Sequence, residues 1–249
     1  MTAAAKESLR EDSSIPLVGL AHGSRDPRSA LAIGRLMTAV AALRPGLQTY
    51  SAFLDLSEPD LRTAVAALDV DRAVVVPLLF AQAFHASKDV PDAIRDAVRS
   101  TGKNLFATEI LGLGPDVLEA LREQASAVGI VDEQEILLVA VGTSDPVANE
   151  AVDNLAQLWS ARRPGGVRAV FATTTPRALD VLDQPWNALP AVASLFLAPG
   201  LLLDQVARRA AELGVAVAQP LWPAMAQVVL ARYDSALSAT RHLPALPSN

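Results

Sequence analysis

Two of the three histidines in this chain of 249 residues stand where an apolar run changes into a polar loop. His22 lies in LAHGSRDP and His85 in LLFAQAFHASKDVP, and Asp55 follows a third apolar run in AFLDLSEP. Neutral imidazoles bind divalent transition metals and accept protons near neutral pH. If the fold brings these three side chains to one place, they can bind a divalent ion or relay protons.

Each of these residues also has a purely structural explanation. A single histidine in a loop is usually a hydrogen-bonded surface residue, and Asp55 by itself is equally well explained as a capping or solvated carboxylate. His242, in the proline-rich stretch RHLPALPSN, is expected to be solvated. The equivalent positions of His22 and His85, each at the end of an expected strand, favour a functional role for these two.

Apolar runs alternate with segments of helical period, a pattern typical of a parallel α/β sheet. In the first half we predict strands near 16–21, 48–54, 73–80 and 104–110, and helices near 27–43, 58–68, 87–99 and 115–128. In the second half we predict strands near 135–141, 167–172 and 192–198 with a weak one near 215–218, and helices near 146–162, 176–183, 201–213 and 223–238. In the flavodoxin-like order 2-1-3-4, strands 1 and 3 are neighbours at the switch point where ligands bind, so His22 and His85 are predicted to meet there.

The two halves are also similar in sequence, since AHGSRDP at 21–27 aligns with AVGTSDP at 140–146. The ionisable residues of the first half have uncharged counterparts in the second: Val141 for His22, about Leu201 for His85 and about Thr173 for Asp55. We therefore predict an α/β protein of two flavodoxin-like lobes, each a four-stranded parallel sheet with helices on both faces, and one site serving both lobes. The first lobe is expected at 15–130 and the second at 131–240, with tails at 1–14 and 241–249.

The composition excludes several classes of protein. A net charge of −6 argues against a general nucleic-acid binder, and the lack of cysteine excludes disulfides and thiolate metal sites. No P-loop, dinucleotide-binding fingerprint or G-x-S-x-G elbow is present. Residues 1–14 lack the apolar core of a signal peptide, and no apolar run reaches the roughly 20 residues of a membrane span. We therefore expect a cytoplasmic protein that does not associate with a membrane.

Taken together, GLAHGSRDP, AFLDLSEP and VVVPLLFAQAFHASKDVP resemble the sirohydrochlorin chelatases, the class II chelatases that insert cobalt or iron into sirohydrochlorin. The resemblance covers nearly the whole chain, with a degenerate second copy typical of the long form. It implies two flavodoxin-like halves with the tetrapyrrole in the cleft between them. It also implies that His22 and His85 are the catalytic pair that binds the metal and accepts protons, with Asp55 as an assisting carboxylate. Members often carry Glu in an FLE triplet where this chain has Asp55, which is one methylene shorter.

The resemblance further implies a lyase, a ferro- or cobaltochelatase of sirohaem or cobalamin biosynthesis. Such an enzyme needs neither ATP nor a tightly bound cofactor, because Co²⁺ or Fe²⁺ is its substrate, and we expect it to act as a monomer. Ser24, Arg25 and Lys88 are expected to bind the carboxylates of sirohydrochlorin, with Arg28 and the helix N-termini as further partners. Arg25 and Lys88 are equally well explained as solvated loop charges. A tetrapyrrole carrier or metal chaperone on the same fold, without turnover, is the alternative function.

Overall fold

The computed structural model describes residues 15–81 and 88–241, which form two parallel β-sheets flanked by helices. The strands are β1 (Leu17–Ala21), β2 (Thr49–Phe53), β3 (Arg72–Pro77), β4 (Asn104–Ala107), β5 (Ile136–Ala140), β6 (Val167–Phe171) and β7 (Ala191–Ser194). The helices are α1 (Pro27–Leu43), α2 (Leu61–Ala66), α3 (Val90–Thr101), α4 (Pro115–Ala127), α5 (Pro146–Ser160), α6 (Ala178–Leu182), α7 (Leu201–Glu212) and α8 (Ala226–Arg241). The first sheet has the order β2-β1-β3-β4 and the second the order β6-β5-β7. The predicted α/β class and the flavodoxin-like order of the first sheet are thereby confirmed.

Proline and aspartate determine where the helices after the two central strands begin. Helix α1 begins at Pro27 and α5 at Pro146. In each case the preceding aspartate, Asp26 or Asp145, accepts a hydrogen bond from the N–H two residues further on, at 3.0 and 2.9 Å. The first N–H groups of a helix have no partner inside the helix, so proline loses nothing there and aspartate supplies an acceptor.

The second sheet has three strands, so the predicted fourth strand near 215–218 is wrong. The chain there forms only an isolated bridge between Val192 and Val217. Val192 donates a hydrogen bond to the Ala216 carbonyl and accepts one from the Ala218 N–H, each at 2.8 Å. In a parallel ladder the next donor along this segment would be Pro220, which has no N–H. The pairing therefore ends after one residue.

Buried residues alternate between the two faces of each sheet, as the period of a strand requires. Helices α2 and α3 cover the outer face of the first sheet, and α6 and α7 cover the outer face of the second. The inner faces of both sheets contribute to one continuous core that also contains side chains of α1, α4, α5 and α8. The two lobes are therefore packed together through a shared apolar interior.

Two helices pack on the sheet of the other half of the chain. Helix α4 follows β4 in sequence and contacts β7, whereas α8, near the end of the chain, contacts α1 and β3. Tyr233 of α8 is fully buried, and its hydroxyl donates to the Ile15 carbonyl at 2.6 Å. Arg44 and Asp234 form a two-bond ion pair at 2.5 and 2.8 Å. The division of the chain near residue 130 stays a prediction, and α4 and α8 tie the two sheets together across it.

Candidate active site

The structure brings His22 and Asp55 together at the carboxyl edge of the first sheet. His22 follows β1 directly, and Asp55 lies two residues beyond β2, the neighbouring strand. The Asp55 N–H donates to the His22 carbonyl at 2.9 Å, which extends the β1–β2 ladder into the two loops. His22 is half-buried, with Nδ1 3.4 Å from the Gly23 carbonyl oxygen, and Asp55 is exposed. The predicted meeting of these two residues at one sheet edge is therefore what the structure shows.

Gly23 makes this close approach of the two loops possible. Its φ is +95°, in the left-handed region that favours glycine, and a Cβ atom would overlap the Asp55 carbonyl oxygen. The same loop is tied to the β2 loop a second time through Ser57. The Ser57 hydroxyl accepts from the Ser24 N–H and donates to the Ser24 carbonyl, each at 3.0 Å.

The second lobe repeats this loop without counterparts of the His22 imidazole and the Asp55 carboxylate. Thr173 donates from its N–H to the Val141 carbonyl at 3.0 Å, the same bond that Asp55 makes to His22. Gly142 has a φ of +84°, like Gly23. These matching bonds and glycine conformations agree with the aligned pairs His22/Val141 and Asp55/Thr173. The histidine and the carboxylate therefore differ between the lobes, whereas the backbone that positions them is similar.

Ser24 also has a structural counterpart in the second lobe. Its hydroxyl accepts from the Asp26 N–H at 3.1 Å, and the Thr143 hydroxyl accepts from the Asp145 N–H at 3.2 Å. Because the lobe without histidine keeps this bond, the bond itself serves to shape the loop. The remaining O–H donor of Ser24 is chemically suited to a carboxylate, and its role as a substrate ligand stays a prediction.

A cavity of about 500 Å³ opens beside His22 and Asp55. Arg62 is a cation in its described lining. The described lining also contains four carboxylates, those of Asp55, Asp60, Asp89 and Asp96. Hydrogen bonds from the Thr63 hydroxyl and N–H lower the pKa of Asp60 below its ordinary value. The cavity beside the histidine therefore carries negative charge and attracts cations.

Sequence reasoning missed several residues of this lining. Asp89, Ala93 and Asp96 are spaced i, i+4 and i+7, the spacing that places residues on one face of a helix, so the pattern in DVPDAIRD indicates their shared direction. Asp60 precedes an apolar run and accepts from the Thr63 N–H at 2.7 Å, as an N-cap does. Ser57, which ties the two loops together and is not part of the cavity lining, carries no comparable signal in the sequence.

The other predicted site residues lie at separate places. Arg25 and Lys88 are exposed, and neither they nor Ser24 belong to the described lining of the cavity beside His22. His85 and His242 lie outside the described residues, so the predicted meeting of His22 with His85 stays a prediction. Within residues 15–81 and 88–241, no three potential ligands lie close enough together to bind a metal ion.

Arg28, a further candidate for binding substrate, is engaged by two carboxylates. Its guanidinium donates to the buried Asp26 from Nε at 3.0 Å and from Nη2 at 2.5 Å, and Nη2 also donates to Asp204 on α7. These hydrogen bonds raise the pKa of Arg28, and the hydrogen bonds from Arg28 lower the pKa of Asp26. Arg28 therefore joins the two lobes, and its hydrogen bonds go to Asp26 and Asp204.

A second cavity, of about 410 Å³, lies between the lobes. Phe80 and Leu113 line it from the first lobe, and Val147 and Ala151 line it from the first two turns of α5. Arg232 of α8 also borders it, with Nη2 donating to the Leu111 carbonyl at 2.6 Å. The facing walls of this cavity are mainly apolar.

The comparisons with known proteins agree with this fold. Residues 16–128 match the family model CbiX. A sirohydrochlorin ferrochelatase of Bacillus subtilis (strain 168) is 28% identical over 171 residues, 65% of this chain and 66% of that protein. A sirohydrochlorin cobaltochelatase of Sulfolobus acidocaldarius is 30% identical over 76 residues, 29% of this chain and 60% of that protein. The structure of SirB from Bacillus subtilis with Fe³⁺ has a TM-score of 0.76 at 21% identity, covering 91% of this chain and 97% of that one.

The chain is a two-lobed α/β protein whose fold is similar to that of SirB. The match of residues 16–128 to CbiX confirms the resemblance to the sirohydrochlorin chelatases. The chain spans about two thirds or less of the length of the curated relatives that it matches. In the part of the chain that the structure describes, no helix combines the length and the apolar character needed to cross a bilayer.

Proposed function

We propose that this protein is a sirohydrochlorin chelatase, which inserts Co²⁺ or Fe²⁺ into sirohydrochlorin without ATP. The observation that carries the proposal is the joint of the two strand-end loops, where the Asp55 N–H donates to the His22 carbonyl. This joint fixes an imidazole and a carboxylate beside a cavity of negative charge. The named activities of the similar ferro- and cobaltochelatases support the same reaction.

Metal insertion requires the removal of two pyrrole protons as the metal–nitrogen bonds form. His22 in its neutral form binds a divalent ion or accepts one of these protons, and His85 is proposed for the other. The protons then pass to solvent, so the imidazoles return to their neutral state. The carboxylates that line the cavity raise the local concentration of the metal cation, and Asp55 stabilises an imidazolium formed at His22.

The second lobe is proposed to supply an apolar wall rather than a second site. Val141 stands at the position of His22 and is 44% exposed, and Leu201 stands near that of His85 and is 64% exposed. Large apolar side chains exposed at the carboxyl edge of a sheet are suited to the face of a flat macrocycle. One chain should therefore bind one sirohydrochlorin, and a titration followed by absorbance that gave two equivalent sites would contradict this proposal.

Several finer points belong to the same proposal. Arg25, Lys88 and the Ser24 hydroxyl are proposed to bind the peripheral carboxylates of the substrate, since both cations are exposed, Arg25 in the loop after β1 and Lys88 in the turn before α3. We also propose a monomer that acts in the cytoplasm with the metal as substrate and without a resident cofactor. Both lobes and the cavity between them belong to a single chain, which supports the monomer.

The test is metallation of sirohydrochlorin by Co²⁺ and by Fe²⁺, followed in the ultraviolet–visible spectrum. Catalytic amounts of protein should speed the reaction, whereas a carrier would give only a stoichiometric spectral shift. His22→Ala should lose activity by about 100-fold or more, the range of general acid–base effects. His242→Ala is the matched control and should keep the wild-type rate. A His22→Ala variant with the wild-type rate, at fixed and saturating metal, would contradict the assignment.

A further inference from the structure

A side chain holds the backbone of the loop after each central strand, and the two lobes use different residues for this. In the first lobe the Ser57 hydroxyl accepts from the Ser24 N–H and donates to the Ser24 carbonyl, each at 3.0 Å. In the second lobe the Asn149 amide does the same for Thr143, accepting from its N–H at 3.1 Å and donating to its carbonyl at 2.8 Å. Asn149 is the fourth residue of α5, and Ala30 stands at the same place in α1. The first lobe therefore takes this partner from the loop after β2, whereas the second lobe takes it from the helix that follows the loop itself.

The loop that carries Ser57 is one residue longer than its counterpart in the second lobe. An isolated bridge joins Phe53 to Asp60, seven positions further along the chain. The equivalent bridge joins Phe171 to Arg177, six positions further along. In both lobes the phenylalanine N–H donates to the carbonyl of the proline just before the bridge partner, at 3.0 and 2.8 Å, so the two bridges mark the same place in the fold.

The longer loop contains a strained turn at Leu56. The φ of Leu56 is +60°, in the left-handed region that favours glycine. The Ser57 N–H donates to the Asp55 carbonyl at 2.8 Å, and the Leu56 N–H donates to Asp55 Oδ1 at 2.8 Å. A bond between residues two positions apart closes a γ-turn, and the form with positive φ is the strained one. Such strain persists only where the surrounding bonds hold it, and here they lead directly to the Ser57 hydroxyl.

Stability of the loop after β1 does not by itself explain this arrangement, because the asparagine of the second lobe satisfies the same two backbone groups from its own helix. What Ser57 adds is a second tie between the loops that carry His22 and Asp55. The first tie is the bond from the Asp55 N–H to the His22 carbonyl at 2.9 Å, and the tie from Ser57 to Ser24 lies two residues further along both loops. A single hydrogen bond lets two loops pivot about it, whereas two bonds at different points hold their relative orientation. Catalytic groups lose rate steeply when their geometry shifts, so this orientation matters for the reaction.

We propose that Ser57 is a positioning residue for metal insertion, which holds the His22 imidazole in a fixed orientation relative to the Asp55 carboxylate. The strained turn at Leu56 serves to bring the Ser57 hydroxyl to Ser24. This inference rests on the proposed function, because it takes His22 and Asp55 as the groups that act on the metal and the protons. The Ser57 hydroxyl contacts backbone atoms of Ser24, so it acts through the two loops.

The second lobe supplies the design of the test, because its asparagine can be transplanted into α1. Ser57→Ala removes the second tie, and Ser57→Ala/Ala30→Asn returns a partner to the Ser24 backbone from α1 without joining the two loops. Ala30 and Asn149 are both half-buried, so the two helix positions are comparable. Asn149→Ala is the matched control, since it removes the same pair of bonds from the other lobe. Tm is measured by circular dichroism, and the rate of Co²⁺ insertion is measured at saturating sirohydrochlorin and metal, below the Tm of every protein compared.

Loss of the two hydrogen bonds should lower Tm by about 4–8 °C in Ser57→Ala and in Asn149→Ala alike. Ser57→Ala should also lower the saturated rate by about 10- to 100-fold, because the catalytic groups are misaligned, whereas Asn149→Ala should keep the wild-type rate. The double variant should recover most of the lost Tm and keep the low rate. A wild-type rate in either Ser57 variant, or an equal loss of rate in Asn149→Ala, would overturn the inference.

Two comparisons decide the outcome independently. If the transplanted asparagine restores no Tm, Ser57→Ala and Asn149→Ala still differ only in which lobe has lost the bonds. If Ser57→Ala does not fold, the double variant decides, because a rate that returns together with the fold would make Ser57 a purely structural residue. If the wild-type protein does not speed metallation, the proposed function fails instead, and that failure is distinguishable from an active wild type whose Ser57 variants are equally active.

Discussion

Substitution of Gly23 by alanine tests whether the joint between the two strand-end loops carries the activity. At φ +95° an alanine costs about 1–2 kcal/mol, and its Cβ would overlap the Asp55 carbonyl oxygen. The loops must then separate, which breaks the bond from Asp55 to His22 and the bond from Ser24 to Ser57, each worth about 1 kcal/mol. We expect Gly23→Ala to lower the free energy of unfolding by about 3–4 kcal/mol in all, measured by denaturant titration.

The same variant should lose most metallation activity, because His22 and Asp55 no longer share one edge. Gly142→Ala is the matched control, since this glycine has a φ of +84° and its Cβ would lie 2.5 Å from the Thr174 methyl and 2.9 Å from the Phe171 Cβ. It should lose stability of similar size, about 2–3 kcal/mol, and keep its activity, because its lobe contains no histidine. Equal activity of the two variants, whether both high or both low, would refute the reasoning.

Substitutions at three further positions separate the roles of single residues. Asp55→Ala should slow metallation by several-fold to about 100-fold, whereas Asp55→Glu should keep or raise the rate. Full activity of Asp55→Ala would show that Asp55 has no role in metallation. Asp26→Asn tests the pH dependence of stability. Hydrogen bonds from Arg28 lower the pKa of Asp26 below its ordinary value of 3.8. The stability gained from the ionised carboxylate is therefore present above that pH and is lost as the pH falls through the folded-state pKa. Denaturation of both proteins should show the wild type more stable at neutral pH and the difference vanishing in acid, and a difference independent of pH would contradict this. Gly34→Ala, in α1 where an added Cβ meets nothing within 4 Å, should raise the free energy of unfolding by about 0.5–1 kcal/mol without changing the rate, and a loss of stability would contradict the packing of α1.

Local signals in the sequence were sufficient to predict most of the helices and strands. They were also sufficient to place His22, one of the two proposed catalytic histidines, at the end of a strand. The Asp-Pro pair before each helix and the alternation of buried residues depend on neighbours in the chain, which is why α1 begins at Pro27 as predicted. The order 2-1-3-4 then places the ends of β1 and β2 side by side, so His22 and Asp55 meet. The predicted strand near 215–218 does not form, because Pro220 has no N–H and ends the ladder after the single bridge at Val217.

The sequence by itself determined the two repeats, the α/β class, and the restriction of the candidate catalytic residues to the first half. Only the tertiary structure decided that α4 and α8 pack on the sheet of the other half, because an apolar stripe shows that a face is buried but not what covers it. The bridge from Arg28 to Asp204 is likewise invisible in the chain, since it joins residues 176 positions apart. Short-range patterns fix the elements, whereas contacts such as the Arg28–Asp204 pair depend on how the two sheets pack together.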